Sequence, residues 1–267
     1  MLTASALRIR RLDVYLQFDR SLSPSELSAV RDAIRRRAAG EPVAYITGRR
    51  EFYTREFIVT PDVLVPRPET EAVVEIALRQ VREKRAGDYQ RARVAVADLG
   101  TGSGCIAVTL ACEEPDLDII ATDVSDAALT VARMNAELHG VRDVVDFRQS
   151  SWADDIERKV DVVVGNPPYV TSSELSSLER DVCDFEPHAA LDGGVDGLDA
   201  YRELLASVQR LPASPTVILE VDPRRAERVA ALIVDALPAS AVAEHPDLTG
   251  RTRVVAAVPP DADAAAT

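Results

Sequence analysis

Short apolar runs rich in β-branched residues alternate along this chain with longer stretches whose apolar positions recur every three or four residues. The runs at 94–97, 118–122, 144–147, 161–164 and 216–221 read as buried strands, and those at 242–244 and 253–258 as a final pair. Between them, Ile106 to Ala111 and the series Ala128, Leu129, Ala132 and Leu138 after the cap Ser125 read as helices. Such alternation predicts a parallel sheet with helices on both faces, an α/β fold. Ahead of this body, Ser23-Pro24-Ser25-Glu26 has the form of a capping box with proline at the first helical position. The helix it opens carries Leu27, Val30 and Ile34 on one stripe, three arginines (35–37) near its end and Gly40 as its stop. Residues 1–22 show no clean period. From Pro42 to Pro66 the pattern turns to β, with Tyr45, Ile46, Phe52, Tyr53, Phe57, Ile58 and Val59, and predicts a hairpin linker. A helix begins after the stiff Pro66 to Glu71 loop, and polar residues 85–93 read as a loop. The expected organisation is a small helical domain (1–41), a hairpin linker (42–66), the α/β body (67–259) and a frayed tail (260–267).

Composition narrows the classes. The 267 residues carry a net charge of −13, yet residues 1–50 hold ten arginines and no lysine against five acids, so the remainder is strongly acidic. An acidic body disfavours non-specific DNA binding and suits either a basic protein partner or plain solubility. No apolar run approaches the ~18 residues of a membrane span. Arg8, Arg10 and Arg11 interrupt any signal-peptide core. A soluble, cytoplasmic protein is expected. Cys105, Cys112 and Cys183 form no Cys-x-x-Cys pair, and His139, His188 and His245 stand singly, so neither a disulfide framework nor a metal site is expected.

Two motifs carry chemistry. The first is Asp98-Leu99-Gly100-Thr101-Gly102-Ser103-Gly104, between a strand and a helix. Glycines there let a ligand approach the main chain, and the following helix N-terminus adds free N–H groups. The spacing is not that of dinucleotide folds. Asp98 would repel a pyrophosphate and suits a cation, and Asp123, ending the next strand, is placed to accept ribose hydroxyls. A cationic nucleoside without phosphates, S-adenosyl-L-methionine, fits this set. The second motif is Asn166-Pro167-Pro168-Tyr169, where two prolines stop a strand and leave Asn166 at its carboxyl end. The Asn166 carboxamide oxygen and the Pro167 carbonyl can each accept a hydrogen from one planar N–H₂ group, and Tyr169 can cover that group by stacking. The alternative is a proline-rich turn that Asn166 closes through its own backbone.

With Arg50-Glu51-Phe52-Tyr53, Pro66-Arg67-Pro68-Glu69-Thr70-Glu71 and Phe185-Glu186-Pro187 followed by Ala190-Leu191, these motifs make the sequence resemble the release-factor glutamine methyltransferases from about Tyr15 to Val258. The resemblance implies a Rossmann-like class I S-adenosylmethionine-dependent methyltransferase domain behind a small N-terminal helical domain and hairpin. It implies that Gly100, Thr101, Gly102, Ser103, Gly104, Asp123, Trp152 and Asn166 bind the cofactor. It implies that Asn166 and Pro167 are catalytic and, with Pro168 and Tyr169, hold the amide of a glutamine in the Gly-Gly-Gln loop of peptide-release factors. The chain is expected to act as a monomer, without stable contact with nucleic acid. It departs from the family in a short N-terminal domain, in Ser151 where an acid often precedes Trp152, and in Glu220-Val221-Asp222-Pro223. Glutamine methylation of a ribosomal protein, adenine N6-methylation of DNA, and cofactor binding without catalysis remain open as alternatives. An NAD dehydrogenase is disfavoured by the glycine spacing and Asp98.

Overall fold

The computed structural model describes residues 1–87, 93–247 and 249–260. The tail from 261 onward and residues 88–92 of the expected polar loop lie outside the described residues.

The amino-terminal region is helical: α1 (Leu2–Leu7), α2 (Arg11–Leu16), α3 (Pro24–Ala38) and α4 (Val43–Thr47). The Ser23 box forms as the sequence predicts. Its hydroxyl accepts from Glu26 N–H at 3.3 Å, and the Glu26 carboxylate accepts from Ser23 N–H at 2.9 Å. Residues 1–22 showed no period because α1 and α2 have six residues each, too few for a stripe to repeat. In this region one expectation is overturned. Tyr45 and Ile46 belong to α4, not to a strand, because a tertiary contact outweighs their β propensity. The buried Tyr45 phenol donates to Val63 C=O at 2.6 Å, and Gly48 then ends the turn in the left-handed region. The hairpin itself is β1 (Arg49–Phe52) and β2 (Arg55–Ile58), antiparallel, with Tyr53 and Thr54 at φ of 48° and 61° making its two-residue turn.

After a tight turn at Pro68–Thr70 comes α5 (Glu71–Gly87), which takes in the first residues of the expected loop. The body continues through β3 (Val94–Leu99), α6 (Cys105–Glu113), β4 (Leu117–Asp123), α7 (Asp126–Leu138), β5 (Val145–Gln149) and β6 (Val162–Gly165). It closes with α8 (Arg180–Cys183), α9 (Asp199–Val208), β7 (Thr216–Glu220), α10 (Ala226–Ala236), β8 (Ala241–Pro246) and β9 (Thr252–Val258). Among the described residues the main sheet has seven strands in the order β5-β4-β3-β6-β7-β9-β8. The sheet is mixed rather than wholly parallel. The chain between β8 and β9 is too short for a crossover, so the two pair as a hairpin and β9 runs antiparallel to β7.

The central strands of the sheet are buried on both faces. Val162 and Val164 point into a core with α5, α6 and α7, while Val163 points into a second core with α9 and α10. Strand order reverses at β3, whose successors β4 and β5 lie to one side and β6 and β7 to the other. Asp98 of β3 pairs in register with Val164 of β6, so the glycine loop and the Asn-Pro-Pro-Tyr loop leave the sheet side by side.

Candidate active site

The glycine loop is folded by its own first acid. Asp98 is fully buried, and its Oδ2 accepts from the Thr101 hydroxyl at 2.6 Å and from Ala107 N–H at 3.2 Å. Burial pushes this carboxyl up to about 6. Asp98 therefore shapes the loop from behind rather than facing a ligand cation, and it is not part of the cavity wall. Gly100 and Thr101 both donate their N–H to Thr122 C=O, at 2.9 and 2.8 Å. Asp123, at the end of β4, accepts from Gly102 N–H on one oxygen and from Ser125 N–H on the other, each at 2.9 Å. Burial raises the Asp123 carboxyl, and those N–H groups oppose the shift.

These elements enclose a cavity of about 250 Å³ whose wall includes Gly100, Thr101, Gly102, Ser103, Asp123, Ser150, Trp152, Asn166 and Pro168. Gly104 stays behind the wall. It starts α6 at φ 78°, and a Cβ there would lie 3.0 Å from that of Ala132 on α7. Trp152 sits in the left-handed region at φ 50°. Its C=O accepts from the Thr122 hydroxyl at 2.8 Å, and its indole N–H donates to Glu203 at 3.2 Å, which fixes the ring as one wall. Gly100, at φ 77°, faces that ring, and a Cβ there would stand 3.3 Å from it. Ser151 is exposed and lies off the wall, which Ser150 forms instead, so the departure at 151 leaves the cavity untouched. The residues fit S-adenosyl-L-methionine: an aromatic wall for a base, a carboxylate for ribose hydroxyls, and glycine backbone left bare. Among the described residues the basic side chain on this wall is Arg67, already paired with Glu186, so the cavity is not built for phosphates.

A second cavity, of about 300 Å³, adjoins the first. Leu64, Arg67, Asn166, Pro168 and Ala190 line both, whereas Pro167, Tyr169, Leu178, Val182 and Leu191 line only the second. Asn166 thus stands at the junction. Its Nδ2 donates to the Thr70 hydroxyl at 3.3 Å, and Thr70 in turn donates to Glu220 at 2.6 Å. Both partners are buried, and burial pushes Glu220 up to about 7. Burial also raises the Tyr169 phenol, to about 12, so it stays neutral. Behind the loop, Gly193 N–H donates to Val170 C=O, and Gly197 comes so near that a Cβ would lie 2.5 Å from Tyr169 C=O. Arg67 donates to the buried Glu186 at 2.6 Å, and Val65 N–H adds a bond at 3.3 Å. This pair joins the Pro-Arg-Pro-Glu-Thr-Glu loop to the Phe-Glu-Pro segment. The sequence marked both stretches but not the bond between them. It did not mark Thr70 or Glu203 as site residues, and marked Glu220 only as the start of an unusual segment.

Two family models match the chain: the PrmC N-terminal domain at residues 1–48 and the methyltransferase small domain at residues 84–181. The release factor glutamine methyltransferase of Geobacter sulfurreducens is 42% identical over 80% of this chain and 70% of its own length. That of Cereibacter sphaeroides is 40% identical over 96% of this chain and 88% of its own. Among solved structures, a methyltransferase from Pyrococcus furiosus superposes with a TM-score of 0.53 at 16% identity, covering 78% of this chain and 91% of that one, a likeness of fold.

Proposed function

The chain belongs to the release factor glutamine methyltransferases, and from that premise we propose that it methylates the side-chain amide nitrogen of the glutamine in the Gly-Gly-Gln loop of peptide-release factors, with Asn166 and Pro167 holding that amide. S-adenosyl-L-methionine supplies the methyl group as a sulfonium electrophile. In this reading Gly100, Thr101, Gly102 and Ser103 line its seat, Asp123 accepts the ribose hydroxyls, and Trp152 flanks the base.

The observation that carries the reading is the place and polarity of Asn166. It stands where the two cavities meet, and its nitrogen is engaged by Thr70, so its oxygen is the end left to accept. An amide nitrogen is a weak nucleophile because its lone pair is delocalised. Two neutral acceptors, Asn166 Oδ1 and Pro167 C=O, hold both hydrogens of the substrate N–H₂ and favour lone-pair density out of the amide plane. They would also stabilise the positive charge that grows on nitrogen as the new N–C bond forms and the methyl–sulfonium bond breaks, with S-adenosyl-L-homocysteine leaving as a neutral thioether. The rest of the task is alignment. One of the two N–H protons then leaves to water, giving the neutral methylated amide. Tyr169, neutral and half-buried, packs beside the glutamine side chain.

The test is transfer of labelled methyl from S-adenosyl-L-methionine to a purified unmethylated release factor and to its variant with alanine in place of the Gly-Gly-Gln glutamine. Label is expected on the first alone. Equal label on both, or transfer to DNA but not to the factor, would overturn the reading.

A further inference from the structure

The two ends of an asparagine side chain have nearly the same shape, so only hydrogen-bond partners decide which end points where. At Asn166 this choice matters, because turning the carboxamide over would put a donor where the substrate needs an acceptor. The inference rests on the assignment of Asn166 as amide holder. We infer that Thr70 and Glu220 are positioning residues that fix the polarity of the Asn166 carboxamide, holding its nitrogen inward and its oxygen toward the substrate.

The geometry works as a one-way chain. Glu220 ends β7 and is 1% exposed. An ionised carboxylate only accepts hydrogen bonds. While Glu220 is ionised, Thr70, 2.6 Å from it, must spend its single hydroxyl hydrogen there. What Thr70 has left for Asn166 is a lone pair, and Nδ2 takes it at 3.3 Å. The reverse orientation would set Oδ1 against an oxygen lone pair in a buried place, a repulsive arrangement.

Independent parts of the fold bring the three residues together. Gly165 pairs in register with Leu219, so Asn166 and Glu220 follow one another's strand ends. Thr70 comes from a different segment, the turn at Pro68–Thr70, which is anchored by Thr70 N–H on Arg67 C=O and by the Arg67–Glu186 pair. A buried carboxylate is costly to keep, and at this position its use is to orient a hydroxyl.

The experiment compares Thr70→Val, Thr70→Ser and Asn166→Ala by steady-state transfer to a release factor, cofactor binding by calorimetry, and the side-chain N–H₂ signals of ¹⁵N-asparagine-labelled enzyme. Thr70→Val is expected to lower kcat by roughly 10- to 100-fold, with KM for the factor and cofactor affinity within about 3-fold of the parent. Thr70→Ser restores the hydroxyl and is expected to restore kcat to within about 3-fold. The Asn166 N–H₂ signals, assigned by their loss in Asn166→Ala, should shift and exchange faster with water in Thr70→Val and stay in place in Thr70→Ser. In a double-mutant cycle the Thr70→Val effect should vanish in the Asn166→Ala background. Full kcat in Thr70→Val while Asn166→Ala is inactive would overturn this inference alone. Full kcat in Asn166→Ala would overturn the assignment on which it rests. If Thr70→Val does not fold, a Thr70→Ser protein with lost activity and displaced N–H₂ signals overturns the inference by itself.

Discussion

At the scale of single residues the informative group is Glu220. Its carboxyl lies well above the usual carboxylate range, at about 7, mainly because it is buried. The nearby charges partly cancel: Glu69 raises it, while Arg67 and Arg253 lower it. The neutral groups that sense Glu220 are Tyr169, Tyr201 and Cys105, all themselves raised by burial. A folded-state value above the unfolded one means the protonated form is favoured on folding. The stabilisation is fully present below about 4.5 and is lost as pH rises through about 7. The neutral variant Glu220→Gln escapes this loss, so it should be more stable than the parent at pH 8 by up to about 3 kcal/mol, with the difference shrinking by pH 5. Urea unfolding at the two pH values measures it, and a variant less stable at pH 8 would contradict the burial argument. The same protonation lets Glu220 donate to Thr70, which frees the Thr70 hydroxyl to donate and turns Asn166 over. The kcat of the parent should therefore fall as pH drops through about 7, and this limb should be absent in Glu220→Gln. Asn166 and the loop glycines were legible in the sequence because short motifs mark them. Thr70 and Glu220 were not, because their bond spans 150 positions of the chain and no local pattern encodes it.

At the scale of elements, the sequence yields the strands and α3, α5, α6 and α7, whose burial writes a period into the chain, but not α9 and α10. It misplaces α4, where a tyrosine's tertiary hydrogen bond decides the conformation, and it does not reveal that β9 turns antiparallel, since a strand's direction leaves no mark on its composition. The hairpin was expected, but its link to the site was not. Asn135 of α7 is fully buried and accepts from Ile58 N–H at 2.7 Å. It donates to Ile58 C=O at 3.0 Å and to Ser103 C=O at 2.8 Å. One side chain thus ties β2 to the glycine loop. Asn135→Ala should cost about 3 kcal/mol, by leaving buried backbone groups unpaired, and should weaken cofactor binding as the loop loosens. Thermal denaturation and calorimetry check both. Unchanged stability would show that the hairpin is held elsewhere. At Gly197, φ is 74° and a Cβ would fall 2.5 Å from Tyr169 C=O and 2.4 Å from the Arg225 side chain. Gly197→Ala should destabilise by at least about 2 kcal/mol and raise KM for the release factor, since the Pro-Pro-Tyr loop must move. A variant with parental stability and KM would show that Gly197 does not hold the Pro-Pro-Tyr loop in place.

At the scale of the whole molecule, the parallel part of the sheet gathers the site. Gly100, Asp123, Trp152, Asn166 and Glu220 lie at or just beyond the carboxyl ends of β3, β4, β5, β6 and β7 in turn, and the loop before α5 supplies Thr70. The glycine loop and the Asn-Pro-Pro-Tyr loop were legible separately. Their adjacency follows from the reversal of strand order between β3 and β6, which the alternation of strands and helices suggests but does not specify. The arrangement divides labour between two joined cavities, and Asn166, on the shared wall, belongs to both. Asp123, on the first cavity alone, gives the contrasting case. Asp123→Ala should lower cofactor affinity by roughly 10-fold or more while leaving release-factor binding in place. A calorimetric titration with S-adenosyl-L-homocysteine measures it, and unaltered affinity would contradict the placement of the ribose.

On the proposed reading, the Asn166 carboxamide positions the substrate amide for methylation. Single-turnover transfer of labelled methyl to a release factor, by the parent and by Asn166→Ala at saturating S-adenosyl-L-methionine, tests it most directly. A rate loss of at least about 100-fold is expected, with cofactor affinity within roughly 3-fold of the parent. A variant that transfers methyl at the parental rate would contradict it.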